Sequence, residues 1–262
     1  MATLRLRITG EPRNISVRGF LSAIDSWLKI LDDLDSAISR EPQGSLDWFV
    51  TDLSKGSLTV EVESRSRLEE KNVAPEVASA FVTGVQQIER EGASPPYLSE
   101  VGMQKMRQLV RLVGREGTSG FEVTHLEQTV EISGRASANI DQLIRVQQHS
   151  VGSVEGRLET ISIHGRRPRF IVYDALTRKA ITCKFDPEPW LDKVKDALGH
   201  RVNASGEVHY NVKSEPLRVE LQGLRILREK DELPRTTEVS GSAPALTGAE
   251  TTADYLRRIR GG

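Results

Sequence analysis

The chain has 262 residues, with 36 Lys and Arg against 37 Asp and Glu, a formal net charge of −1 and 37% hydrophobic residues. That length accommodates one large or two ordinary domains, and the near-neutral charge excludes a global field that would draw in nucleic acid or acidic membrane, so any such attraction is local. The single cysteine, Cys183, excludes an intramolecular disulfide framework and a Cys-rich zinc site. The start lacks an apolar core of signal-peptide length and no stretch approaches the roughly 18 apolar residues that span a bilayer, so a soluble protein in the cytoplasm is expected.

Leu4, Leu6 and Ile8 alternate with Arg5, Arg7 and Thr9, the period of a strand with one buried face. From Asn14, apolar residues recur at three and four from Val17 and Leu21 through Trp27 to Ile38, predicting a long amphipathic helix whose Asp32, Asp33 and Asp35 belong to a solvated side. Residues 46–53 and 58–63 read as a hairpin, with Gly56 in the left-handed turn position. A helix from Pro75 carries Val77, Phe81, Val85 and Ile88 and stops near Gly92; another begins near Leu98 and runs to Val113. Strands follow at 121–125 and 129–133, then a helix over 136–147 with Ile140, Leu143, Ile144 and Val146 as its apolar positions. Residues 1–148 therefore read as an α+β domain.

From Gly152 the pattern changes. Residues 154–163, 169–174 and 180–186 read as strands, 188–198 as a helix and 201–211 and 217–227 as two more strands. In the third strand Cys183 shares the side of Ile181 and Phe185, the placement of a small buried hydrophobe rather than a nucleophile. Three strands, a helix and two strands, with Gly206 where a small barrel needs a bend or bulge, resemble the OB-fold superfamily. The resemblance covers residues 149–229 and implies a five-stranded barrel that binds ligands with its second and third strands and two flanking loops. The fold class expected is thus α+β: an α+β domain, an OB-like barrel and a tail over 230–262.

Catalytic fingerprints are missing: there is no Walker loop, dinucleotide glycine motif, zinc helix of the HExxH type or Gly-x-Ser-x-Gly elbow. His125, His149, His164, His200 and His209 are scattered; His164 and His209 are able to approach on a barrel, but two histidines make an incomplete zinc site. No enzyme activity, cofactor or metal is expected. The sharpest local feature is the basic loop of His164, Gly165, Arg166, Arg167, Pro168 and Arg169, joined by Lys213 from the facing loop and by Arg178 and Lys179 at the next turn. Single-strand binding there requires exposed aromatic platforms as well. Phe170 and Phe185 point inward by alternation, leaving Tyr173, Tyr210 and His209 as outward candidates.

Residues 231–250 are poor in large apolar side chains and read as a flexible linker. Beyond it Thr252, Tyr255, Leu256 and Ile259 fall on one helical face, and Arg257, Arg258 and Arg260 on others. Leu246-Thr247-Gly248 followed by residues 254–260 resembles the C-terminal tails of uncharacterised bacterial proteins and of antitoxins encoded beside PIN-domain ribonucleases. That resemblance implies a helix occupying the toxin's groove, with Tyr255, Leu256 and Ile259 as anchors and the three arginines neutralising metal-binding acidic residues. The terminal Ile-Arg-Gly-Gly is similar to ubiquitin-like modifiers, but nothing ahead of it reads as a compact fold of that kind. The function expected is a non-catalytic regulatory or partner-binding protein, antitoxin-like; the alternative is an OB-type nucleic-acid-binding module using the loop 164–169.

Overall fold

The alternation at the start of the chain forms β1 (Thr3–Gly10), whose Leu4, Leu6 and Ile8 are buried while Arg5 and Arg7 face outward. The computed structural model describes every residue except 12, 42, 55–57, 69–71, 116, 164–166, 230–231, 234–249 and 261–262, and the side chains of 252 and 260. The turn glycine Gly56, Arg166 and most of the expected linker therefore lie outside the described residues. β1 pairs antiparallel with β3 (Thr59–Ser66) and β4 (Thr118–His125), flanked by β2 (Leu46–Ser54) and β5 (Gln128–Ile132), in the order β2-β3-β1-β4-β5. Helices α1 (Val17–Ser39), α2 (Ala74–Gln86), α3 (Glu100–Val110) and α4 (Gly134–Ile144) bury Trp27, Phe81, Leu109 and Ile140 in the core they share with the sheet. On the sheet's solvent face Arg5 pairs with Glu61 at 2.6 Å and Arg7 with Glu122 at 3.1 Å.

Serines cap three of these helices: Ser16, Ser99 and Ser133 each accept a hydrogen bond from a first-turn amide, satisfying donors that a helix start leaves orphaned. α2 continues through a π-helical turn (Gln87–Glu91) and ends at Gly92, left-handed at φ 56°, where its stop is predicted. Several expectations need correction. Val17 and Leu21 are exposed rather than buried, because the face that meets the core runs through Gly19, Ala23 and Trp27, with Phe20 and Ile24 packed beside it. Asp35 is buried, accepting from the Ser45 amide (2.6 Å), the Ser45 hydroxyl (2.8 Å) and the Leu46 amide (2.7 Å); three donors offset the cost of burying a carboxylate. α4 ends at Ile144 because Arg145 is extended, leaving Val146 outside the helix.

The second half begins with β6 (Gln148–Ser162), six residues before its expected start at 154. It continues through β7 (Arg169–Asp174), β8 (Ala180–Lys184), α5 (Pro187–Asp196), β9 (Arg201–Tyr210) and β10 (Pro216–Ile226). β6 pairs with β7, β7 with β8, β8 in parallel with β10, β10 with β9 and β9 with β6, so the strands close on themselves as a five-membered OB-like barrel. Its interior holds Leu158, Val172, Ile181, Cys183, Val202 and Val219, with the Phe170 and Phe185 rings 5.8 Å apart. Burial pushes the Cys183 thiol well above its ordinary pKa, which withholds the thiolate needed for reactivity. At Gly206 a Cβ would sit 2.0 Å from the Glu220 carbonyl oxygen, and the register of β10 slips between Leu221 and Gly223 opposite it. The bulge thus lies on the strand facing the glycine.

Met1–Leu227 forms one compact unit and Arg228–Gly262 another; the latter contains α6 (Thr252–Arg260). Within the first unit the buried side chains form two clusters, one under the sheet and one inside the barrel. Among the described residues no helix is long and apolar enough to cross a membrane.

Candidate functional site

Three regions carry side chains suited to recognition. The first is α6, which its own neighbours cap: the Thr251 hydroxyl accepts from the Asp254 amide (3.2 Å) and donates to the Asp254 carboxylate (2.6 Å). Arg257 returns to Asp254 at 3.0 Å and Arg258 to Glu250 at 3.2 Å, with the Arg258 guanidinium 5.1 Å from the centre of the Tyr255 ring. Tyr255, Leu256 and Ile259 form the apolar stripe, Leu256 being 38% and Ile259 55% exposed. Arg260 ends the helix, its side chain outside the described residues.

The second is the set of basic residues around the barrel, which falls into two groups at opposite ends of β7, about 16 Å apart at strand spacing. At the first end Arg167 is paired with Glu220 (2.7 Å) and Asp186 (3.2 Å). Arg169, by contrast, has no ion pair or hydrogen bond from its side chain among the described residues. At the far end Lys179 pairs with Glu215 at 2.5 Å, and Glu215 also accepts from the Ser94 hydroxyl (2.7 Å) and the Asn211 amide (3.0 Å). Burial by itself raises the Glu215 pKa, but these hydrogen bonds outweigh it and hold the carboxyl below its ordinary value. Lys213 donates to the Glu91 carbonyl at 3.1 Å, and the left-handed Arg178 accepts at its carbonyl from the Tyr97 amide at 2.9 Å. Arg178, Lys179 and Lys213 thus stand where the barrel meets the N-terminal lobe.

The third region is the outer face of the barrel's second and third strands. Tyr173, expected as an outward stacking platform, is 3% exposed, and Thr182 beside it is also buried, because α1 and the first turn of α3 lie against this face. Arg40 at the end of α1 reaches Glu159 on β6 at 3.3 Å. A cleft of about 200 Å³ remains between the layers, lined by Asp33, Ser99, Thr160, Ser162, Arg169 and Tyr173 among others. Asp33, expected on a solvated face, accepts from the Ser99 amide (2.8 Å) and the Ser99 hydroxyl (2.5 Å). Burial, with a smaller contribution from Asp32, pushes its pKa up to about 6 against those two bonds. No local pattern announces this pairing, since 66 residues separate its partners.

On the open side of the barrel His149 and His209 stack with ring centres 5.8 Å apart, and His149 contacts the Glu207 carboxylate. Burial, then the neighbouring Arg218, lower the His209 pKa. The other expected partner, His164, lies outside the described residues, and β6–β9 pairing brings His149 to His209 instead. Among the described residues no three His, Cys, Asp or Glu side chains gather as a metal set.

No family model matches this sequence, and no curated protein matches it. Among solved structures, the Stn1–Ten1 complex of S. pombe aligns at 16% identity over 41% of this chain and 73% of that chain, with a TM-score of 0.24, an overlay too loose to bear on function.

Proposed function

We propose that this chain is a non-catalytic, partner-binding regulator, antitoxin-like in kind, whose C-terminal helix α6 seats in a groove of a protein partner. The observation that carries the reading is the stripe of Tyr255, Leu256 and Ile259 on a helix of nine residues that caps itself through Thr251 and Asp254. A helix this short is marginal in water, below the roughly 12 to 15 residues that isolated helices need, so its apolar face has to be covered for it to persist. Grooves that take such helices read anchors at this spacing. Arg257, Arg258 and Arg260 supply cations suited to an acidic metal-binding centre, and the tail's resemblance to antitoxins of PIN-domain ribonucleases names the partner class. The barrel's usual ligand face supports the same reading indirectly, since Tyr173 is packed under α1 and α3.

A second reading, nucleic-acid binding by the barrel, is favoured by one observation: the Arg169 guanidinium has no carboxylate partner among the described residues. One experiment separates the two. The full chain and a chain ending at Leu227 are assayed against a PIN-domain ribonuclease encoded beside this protein, with binding and RNA cleavage both measured. The full chain is expected to inhibit, the shortened chain to lose inhibition, and Tyr255→Ala to weaken binding by roughly 2 kcal/mol, about thirtyfold. Equal inhibition by both chains, or none by either, rejects the helix. Salt-sensitive binding of single-stranded DNA or RNA that survives loss of the tail and disappears when Arg166, Arg167 and Arg169 are all changed to Ala establishes the second reading instead.

A further inference from the structure

The cleft between α1, α3 and the β6–β7 surface has two chemically different ends. At one end Arg169 stands directly across from Ser162 in the strand pairing, its guanidinium free of any carboxylate among the described residues. A guanidinium offers five donors in a planar fork that matches a carboxylate. At the other end are the Asp33 carboxylate, whose hydrogen bonds come from Ser99, and the Tyr173 hydroxyl. Tyr173 is 3% exposed, yet its hydroxyl has no hydrogen-bond partner among the described residues. The oxygen is not sealed in the core but stands at the cleft lining, where it offers one donor and an acceptor. Ile171 and Val101 line the stretch between the ends with apolar surface. Arg169 and Tyr173 lie four residues apart on the same face of β7, about 13 Å along the strand, and both side chains reach into the gap between them.

We propose that this cleft binds a small zwitterion with a carboxylate at one end and an ammonium at the other, joined by an apolar stem. The carboxylate sits on Arg169 and Ser162, the stem against Ile171 and Val101, and the ammonium on Asp33 with the Tyr173 hydroxyl beside it. The volume of about 200 Å³ suits a molecule of this size. The site needs residues from both the N-terminal lobe and the barrel, so it exists only where the two pack.

The test uses the full-length chain, isotope-labelled for NMR, and three probes: 6-aminohexanoate, and hexanoate and hexylamine as ligands carrying one end each. 6-Aminohexanoate is expected to give saturable shifts confined to residues around 33–36, 99–101, 160–162 and 169–173, with each one-ended probe weaker by about tenfold. Arg169→Ala is expected to weaken 6-aminohexanoate and hexanoate by about tenfold and leave hexylamine unchanged. Tyr173→Phe preserves the ring packing and is expected to weaken the two amines and spare hexanoate. No saturable shift at concentrations on the order of 10 mM, where even a weak ligand of this size registers, overturns the proposal. So does hexanoate binding as tightly as 6-aminohexanoate, or an Arg169→Ala chain that melts as the parent does and binds all three probes unchanged.

Discussion

Asp33 shows how one side chain couples local chemistry to stability. Its folded pKa of about 6 lies above the ordinary 3.8, so the native state holds this proton more tightly than the unfolded chain does. The stabilisation from protonating Asp33 is fully present below 3.8 and is lost as pH rises through about 6. Asp33→Asn is expected to flatten the pH dependence of the urea midpoint across that window; an unchanged slope in the variant would show that the group does not titrate there. Glu215 has the opposite sign: its depressed pKa contributes stability at neutral pH that is lost on acidification. Neither behaviour is legible from residue type. Asp32, Asp33 and Asp35 read alike as a charge run, and only their distant partners, Ser99 for Asp33 and Ser45 with Leu46 for Asp35, separate a clamp from a solvated carboxylate. Cys183 is the contrasting case, since strict alternation with Ile181 and Phe185 decides its side of the strand with no tertiary information.

Among elements, Gly206 controls how tightly β9 and β10 approach. Gly206→Ala places a methyl 2.0 Å from the Glu220 carbonyl oxygen, which a backbone has to move to relieve, so a loss of about 2 to 3 kcal/mol in unfolding free energy is expected. Gly134→Ala at the start of α4 meets nothing within 4 Å and is the control, expected to be neutral or slightly stabilising in the same urea titration. Equal midpoints for the two variants would mean that the close approach does not constrain the barrel. The strand-strand-strand-helix-strand-strand order was legible because the barrel strands alternate inward apolar or small residues with outward polar ones, as Val202, Ala204, Gly206 and Val208 do in β9. The first residues of β6 were not: Gln148, His149, Ser150 and Val151 are all exposed, and they are strand only because β9 pairs with them. A ladder of backbone hydrogen bonds leaves no mark on side-chain alternation.

For the unit Met1–Leu227 as a whole, the question is what holds the barrel to the sheet-and-helix lobe. Glu215 is central, gathering Lys179 and Asn211 from the barrel and Ser94 from the lobe, while Arg40–Glu159 and the Tyr97 amide on the Arg178 carbonyl act elsewhere along the same contact. Glu215→Ala leaves three donors without their acceptor and is expected to cost about 2 kcal/mol, with faster hydrogen exchange at the Tyr97 amide. Exchange and midpoint both equal to the parent would rule out Glu215 as a clamp between the two layers.

By itself the sequence determined the inventory: the strands and helices of an α+β domain, five further strands and a helix whose order along the chain and inward side chains follow from periodicity, and a terminal helix with one apolar stripe. These are properties of neighbouring residues, because side-chain direction repeats every two positions in a strand and every 3.6 in a helix. Only the tertiary structure decided which outward-facing residues remain outward. Tyr173, Thr182, Lys179 and Lys213 lie on the barrel's exterior by alternation or in its loops, yet they meet α1, α3 and the chain around 91–97. The bonds that make this contact join residues as far apart as 121 and 122 positions, and burial set by such distant partners has no local period to betray it.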